Sequence, residues 1–587
     1  MTLRTGGEII ADHLIAEGVP YVLGVPGHGD MGIYDALKDR TSSIEAIQVR
    51  HEQSAGHIAD AYFRVSGRPL ATVTSIGPGS ANLATALATA YVDSQALVSI
   101  TGGVQTYMDG TGVLQEIERQ RDADFSTMLR PITKRGYYPH RVDQVQRALN
   151  RAFNVALNGR PGPVHVEMPI DLQSYSADTA KIDEGRHRPT HGAVGPDPAG
   201  IDEIAAILAS AERPVILAGG GCIHAGAHAE LMQVAELLQA PVVTTMMGKG
   251  VFPEDHALCA QHTGANGTAC GNHMTRTADV ILAVGTRFAE QTSSSFLDGA
   301  SFSVPPTKIL HIDVDPREIG KNYPVEVGVV SDARTALASL AEALEERSSH
   351  FPERDDYLAE LAEQRAGWDA MVHERWGDEL SLTRAIATLR EVMPRDGIAI
   401  ASAGHPQIQM FQEYPTYEPR TWLTPGGYST MGFTVPAAIG AKLAAPDTPV
   451  VGVAGDGDFL MSIQELALVA QLQIPVVYLV MNNIGWTSIR DFQRNLFGED
   501  RKFFVEFRDR SGELVSPDFA GVAREFGIAS TKVESLGELK PALEKALASG
   551  KPTVIEAIQD RDPRSTEGIN SGHWDLPMPD YLAARSQ

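Results

Sequence analysis

Asp456 sits between two glycines, Gly455 and Gly457, and beyond 24 intervening residues Asn482 and Asn483 stand side by side. Aspartate and asparagine offer oxygen atoms and no soft ligand. A carboxylate, an amide oxygen and a nearby backbone carbonyl suit a hard divalent cation, above all one that also takes phosphate oxygens. The residues in between say how the two ends can meet. PVVGVAG, ahead of the aspartate, reads as a buried strand, and the glycines allow a tight turn at its carboxyl end. FLMSIQELALVAQL then reads as a helix and IPVVYLVM as the next strand. Both oxygen-bearing ends therefore fall at the carboxyl edge of one sheet, where open α/β folds place ligands. Turn glycines, an exposed aspartate and a capping asparagine are the plain alternative, and other parts of the chain weigh against it.

The elements that must hold such a site recur along the chain. At 587 residues it is too long for one hydrophobic core, and it reads as three α/β blocks. The first, 1–185, has candidate strands YVLGVPG, LATVTSIGPG, ALVSITGG and PVHVEMP, with helices such as EQSAGHIADAYFRVSG between them. The second, 186–345, opens on a linker and contains PVILAGGG, ADVILAVGTRF and TKILHIDVDPREIG. A charged helical connector follows at 346–378. The third block, 379–560, holds the Gly455–Asn483 stretch, and a proline-bearing segment, 561–587, closes the chain. Short apolar strands alternating with helices predict mostly parallel, doubly wound sheets.

Composition narrows the function classes. The formal net charge of -25 argues against a nucleic-acid binder, because a phosphate backbone calls for Lys and Arg. No uninterrupted apolar run reaches the length of a spanning helix, so no membrane role is expected. The opening MTLRTGGEIIADHLIAEG predicts no signal peptide, and a cytoplasmic protein is expected. Cys222, Cys259 and Cys270 lack zinc-ribbon spacing and read as small buried hydrophobes.

The GDG…NN stretch resembles the thiamine diphosphate motif, and with it almost the whole chain resembles the acetolactate synthase and pyruvate oxidase branch of thiamine diphosphate enzymes. The resemblance makes the three blocks the pyrimidine-binding, central and diphosphate-binding domains. It assigns Mg²⁺ to Asp456, the Asn483 side chain and the Gly485 backbone oxygen. In IQVRHEQSAGHIADAY the residue matching the family's activating glutamate is Glu52. A carboxyl group there meets N1′ of the aminopyrimidine and promotes the imino tautomer, whose nitrogen takes the proton from thiazolium C2. Capping of the following helix is a second role open to the same side chain. In GYSTMGFTVPAAIGAK, Met431 matches the apolar prop under the bent cofactor, and the backbone at Ser429 matches the acceptor of its 4′-amino group. SAGHPQ resembles the synthase GQHQ region, making Gly404, His405 and Gln407 candidates for diphosphate contact, although Pro406 stands where the synthases have His.

Three further places face the reactive carbon if the resemblance is followed. His28, in GVPGHGDMGIYDAL, departs from the synthase pattern and is found in benzaldehyde lyase-like and cyclohexanedione hydrolase-like relatives. Its imidazole can move a proton near neutral pH. Gln115 matches a glutamine over the thiazolium that can donate to an oxyanion, and Leu114 replaces a phenylalanine beside it. Lys134 matches a lysine near the substrate channel, and Trp486 and Phe492 are candidates for the acceptor pocket. The central block resembles an FAD-binding domain, with Arg287 along the flavin and Asp313 and Asp315 toward the adenosine end. Many relatives keep this domain without the flavin, so both outcomes stay open. The activity implied is carboligation of 2-oxo acids such as pyruvate. Cleavage of 1,2-diketones or acyloins is the alternative. The partners implied are a 2-oxo acid, diketone or aldehyde substrate and further copies of the chain, as a homodimer or homotetramer with sites at the subunit interface.

Overall fold

The computed structural model describes residues 3–117, 125–178 and 192–580. A short strand, β1 (Leu3–Thr5), pairs antiparallel with β8 (Ser176–Asp178). The other strands are short apolar runs gathered into three six-stranded sheets. The first is built from β2 (Tyr21–Gly24), β3 (Glu45–Gln48), β4 (Ala71–Thr74), β5 (Val98–Gly103), β6 (Arg135–Tyr137) and β7 (Val164–Pro169). The second is built from β9 (Pro214–Ala218), β10 (Val242–Thr244), β11 (Cys259–His262), β12 (Val280–Val284), β13 (Lys308–Asp313) and β14 (Val327–Val330). The third is built from β15 (Ile398–Ala401), β16 (Trp422–Leu423), β17 (Val450–Gly455), β18 (Val477–Asn482), β19 (Ala529–Val533) and β20 (Thr553–Ile558). These are the three parallel-sheet α/β domains expected from the alternation of apolar runs and helices.

Strand order decides where ligands can go. The first sheet runs β3-β2-β4-β5-β7-β6 and the third runs β16-β15-β17-β18-β20-β19, which is the same winding. In both, the order reverses between the first and third strands of the block. The loops that leave their carboxyl ends diverge there and open a crevice. The second sheet runs β11-β10-β9-β12-β13-β14, the order of dinucleotide-binding sheets, and reverses between β9 and β12. Its core is a continuous aliphatic cluster including Ile216, Leu282, Leu310 and Leu337.

By packing, the chain divides into two compact units. The first comprises Met1–Gly192, Gly427–Val450 and Met461–Val476; the second comprises Ala193–Gly426, Val451–Leu460 and Val477–Gln587. Two helical segments of the third block thus belong with the first sheet. The reason is close packing. The helix Thr434–Ala444 lies along the helix Glu52–Ser66, and a Cβ at Gly440 would stand 2.2 Å from the Ile58 carbonyl oxygen. Only a glycine lets two backbones approach so far. Buried Arg64 joins Asp60 on its own helix to Asp93, and Asp93 in turn accepts from the Gly427 amide at 2.8 Å.

Candidate active site

In the first unit, Glu52 opens the helix Glu52–Ser66 just beyond β3. His51 caps that helix, its Nδ1 accepting the Gln53 amide at 3.2 Å, so Glu52 need not fold back as a cap. Its Oε2 accepts Asn82 Nδ2 at 2.9 Å, which fixes the carboxyl toward the turn Gly77–Gly79. The loop ahead of it is clamped from far away in the sequence. Both carboxylate oxygens of Glu465 accept the Arg50 amide, at 3.0 and 3.2 Å. Glu465 is wholly buried, and that burial raises its carboxyl above the usual range. It holds the backbone two residues ahead of Glu52 and went unnoticed in the sequence, where it falls inside the run read as a helix.

Gln115 comes to the same edge. It holds a left-handed backbone, φ 68°, and lies against Gly77, where a Cβ would approach the Gln115 Cβ to 2.5 Å. Its buried Oε1 has no hydrogen-bond partner among the described residues. Neighbouring Leu114 is 76% exposed. His28 is half-buried in the loop after β2. Ser429 and Met431 lie on the segment before the helix Thr434–Ala444. Ser429 has φ 54°, and the segment is tied down by Gly427 on Asp93 and by Thr430 on Thr89, Oγ1 to Oγ1, at 2.6 Å.

In the second unit, Asp456 begins a short helix at the end of β17 and is 2% exposed. Its Oδ1 accepts the Gly457 amide at 2.8 Å and its Oδ2 the Gly485 amide at 3.0 Å. Burial pushes its carboxyl up to about 6, against the pull of those amides. Asn483 Nδ2 donates to Thr487 Oγ1 at 2.9 Å, while its buried Oδ1 has no partner among the described residues. The Asn483 carbonyl is pinned by Arg561 Nη1 at 2.5 Å. Asn482 turns away, donating to Glu556 and Ser516, and so holds the loop rather than the site. Gly404 needs its glycine, at φ 99°, to start the helix that begins at His405. His405 Nε2 meets Asp491 Oδ2 at 3.0 Å, leaving a buried Nδ1 without a partner among the described residues. Gln407 donates to Thr424 at 2.7 Å.

A carboxylate whose charge burial opposes and an amide oxygen orphaned among the described residues, at the ends of adjacent strands, fit a hard cation. Among the described residues no cluster of three or more His, Cys, Asp or Glu could hold a metal. A site of one carboxylate, one amide oxygen and backbone oxygen needs no such cluster. It does need a ligand that brings its own oxygens, as a diphosphate does.

Three family models meet this geometry domain by domain. Residues 4–123 match the thiamine pyrophosphate enzyme N-terminal TPP binding domain, 201–340 the central domain, and 402–557 the C-terminal TPP binding domain. The chain belongs to the thiamine diphosphate-dependent enzymes. Within them it lies in the acetolactate synthase and pyruvate oxidase branch. It is 37% identical to a probable acetolactate synthase large subunit of Methanocaldococcus jannaschii, over 94% of this chain and 92% of that one. It is 36% identical to an acetolactate synthase large subunit of Corynebacterium glutamicum, over 97% and 89%. It is 33% identical to the acetolactate synthase isozyme 3 large subunit of Escherichia coli, over 93% of each. Thiamine diphosphate and Mg²⁺ are its cofactors.

Other expected residues of this thiamine diphosphate enzyme have packing partners of their own. Lys134 is held by backbone carbonyls. It precedes β6, at the amino edge of the first sheet, and its Nζ donates to the carbonyls of Asn158 and Arg160 at 2.9 and 2.7 Å. Trp486 covers the GDG turn: a Cβ at Gly457 would lie 2.2 Å from its ring, and its other face meets Phe507 edge-on at 5.7 Å. Phe492 packs edge-on against Trp574 at 5.0 Å. In the central domain Arg287, Asp313 and Asp315 do lie at the carboxyl ends of β12 and β13. Asp313 accepts the Asp315 amide at 2.8 Å and Asp315 pairs with Arg317 at 2.8 Å. The glycines after β9 serve packing first, since a Cβ at Gly219 would meet the Gly285 carbonyl oxygen at 2.2 Å.

Proposed function

We propose that the protein is a carboligase of 2-oxo acids of the acetolactate synthase type. It would release CO₂ from one 2-oxo acid such as pyruvate and join the remaining acyl carbon to a second carbonyl compound. The observation that carries this reading is the pairing of Asp456 with the Gly485 amide beside the orphaned Asn483 oxygen, in a chain that follows acetolactate synthase large subunits over nearly its whole length. Asp456, Asn483 and the Gly485 backbone oxygen would hold Mg²⁺ and through it the diphosphate, with Gly455, Gly457, Gly404, His405 and Gln407 around it. Ser429 and Met431 would seat the pyrimidine. When bound, thiamine diphosphate supplies a carbon acid that adds to ketones. Glu52 would exchange a proton with N1′, and Gln115 would donate to the developing oxyanion. Glu52→Gln is the test. C2 proton exchange of bound cofactor should slow by about 100-fold or more with cofactor binding retained; unchanged exchange removes Glu52 from the mechanism.

His28 and exposed Leu114, together at an edge where acetolactate synthases carry other residues, support a second reading: cleavage of 1,2-diketones or acyloins. Pyruvate, 2-oxobutyrate, acetoin, cyclic diketones and aldehydes, each followed by CO₂ release and mass spectrometry of products, separate the two. Flavin binding by the central domain is supported by its dinucleotide-type strand order. A purified protein without flavin absorption, unchanged by added FAD, sinks it. Assembly is supported by exposed Met31, Tyr107, Met108, Leu114 and Met461 on the first unit. Such apolar surface is unusual unless covered. At least a homodimer, with each site completed by the partner, is our reading. No described helix is long and apolar enough to cross a membrane, and we place the enzyme in the cytoplasm.

A further inference from the structure

The loop between β2 and the helix Met31–Lys38 carries a group that the reading above leaves idle. Asp30 is wholly buried. Its Oδ1 accepts the Gly27 amide at 2.8 Å, and its Oδ2 has no partner among the described residues. Asp at a helix start ordinarily caps the helix. Asp30 stands at that position and its side chain makes no cap hydrogen bond.

The loop cannot easily swing the carboxyl elsewhere. The Gly29 amide donates to Ser75 Oγ at 3.1 Å, and its carbonyl accepts Gln173 Nε2 at 2.7 Å. A Cβ at Gly27 would lie 2.4 Å from Ser75 Oγ, and one at Gly102 would lie 2.3 Å from the Gly29 carbonyl oxygen. Ser75 also borders the Glu52 side. A Cβ at Gly79 would touch Ser75 Cβ at 3.3 Å and Glu52 Oε1 at 3.5 Å. The two carboxyls thus leave neighbouring parallel strands, β2 and β3, and flank one serine turn.

Among the described residues no cation answers Asp30. The titratable groups acting on it are Glu52 from the helix Glu52–Ser66 and Tyr34 from its own helix, and His28 shares its loop. Gln173 and Ser75 are neutral. Asp171, on the helix with Gln173, is taken by Thr106. On the packed helix Gly6–Ala16, Glu8 is taken by the Thr5 amide and Asp12 by Arg4 and Arg40.

We propose that Asp30 is a positioning residue for Glu52, a second carboxyl in the same site whose retained proton keeps the pair from carrying two negative charges. The proposal rests on Glu52 being the group that meets the aminopyrimidine. Burial, with Glu52 adding to it, pushes Asp30 up to about 7. Below that pH Asp30 is neutral, and Glu52 can become an anion on giving its proton to N1′. Above it a like charge stands nearby and opposes that step.

Two measurements test it, and the first needs no cofactor. In ¹³C-Asp-labelled apoprotein, with Asp30 identified by its loss in Asp30→Asn, the carboxyl should titrate near neutral pH, and Glu52→Gln should move that midpoint downward. A midpoint in the ordinary carboxylate range, or one indifferent to Glu52→Gln, overturns the proposal even if Asp30→Asn folds poorly. In the holoenzyme, C2 proton exchange should fall as pH rises through the Asp30 midpoint, and Asp30→Asn should abolish that fall while keeping the Gly27 hydrogen bond. The same fall in Asp30→Asn overturns the proposal. Unchanged exchange in Glu52→Gln would instead sink the role of Glu52, and the apoprotein titration would still report the coupling.

Discussion

The backbone amide of Gly485 donates to Asp456 Oδ2 at 3.0 Å, closing the two ends of the GDG…NN stretch onto each other. One carboxylate is thus aimed by the loop that also presents Asn483. We predict that Asp456→Ala abolishes Mg²⁺-dependent binding of thiamine diphosphate, because the diphosphate loses its bridge to the protein. Calorimetric titration in excess Mg²⁺ is the readout. A dissociation constant equal to that of the unaltered enzyme would exclude Asp456 from the metal site. Asn483→Leu, which removes the orphaned oxygen at similar volume, should weaken Mg²⁺ in the same assay, with a modest fall in melting temperature from the lost hydrogen bond to Thr487.

Gly457→Ala tests the turn itself. The added methyl would stand 2.2 Å from the Trp486 ring, and a ring gives way less readily than a flexible chain end. Overpacking of this kind costs about 1–3 kcal/mol. We expect a lower melting temperature, changed tryptophan emission and weaker cofactor binding. Trp486→Leu in the same chain should restore part of the stability. If Gly457→Ala binds cofactor normally, the turn tolerates more than its geometry allows.

Much of this was legible in the sequence, and the failures have physical reasons. Period and length of the apolar runs marked the three sheets, and the GDG…NN spacing put Asp456 and Asn483 at one edge. Those signals are local. Glu465 and Arg50 are 415 positions apart, so no window of sequence could connect that clamp to Glu52. Asp30 carried no signal in the sequence, and only the missing cap bond and the closed loop around it reveal an acid with an unpartnered oxygen among the described residues. The surroundings of Lys134 were not legible, because β6 is a three-residue edge strand with no periodicity to show which sheet edge the lysine occupies.

Lys134→Ala separates a structural role for this lysine from a role at the substrate channel. The ammonium ties two carbonyls of the turn before β7, and its stem covers Gly162, where a Cβ would meet Lys134 at 2.9 Å. We predict a stability loss of about 1–2 kcal/mol, measured by denaturant unfolding, with KM for the 2-oxo acid unchanged. A rise in KM at unchanged stability would assign Lys134 to the substrate channel.

The last prediction concerns the shared site. If each site takes Glu52 from one subunit and Asp456 from its partner, two inactive variants can repair each other. Glu52→Gln and Asp456→Ala proteins, mixed, dissociated and reassociated, form mixed dimers in which one site carries both lesions and the other carries neither. Under random pairing half the dimers are mixed and each regains one site in two, so about a quarter of the unaltered activity should return. Native mass spectrometry verifies the exchange. Activity that stays at the level of the single variants, with mixed dimers present, would mean that each chain builds its site alone.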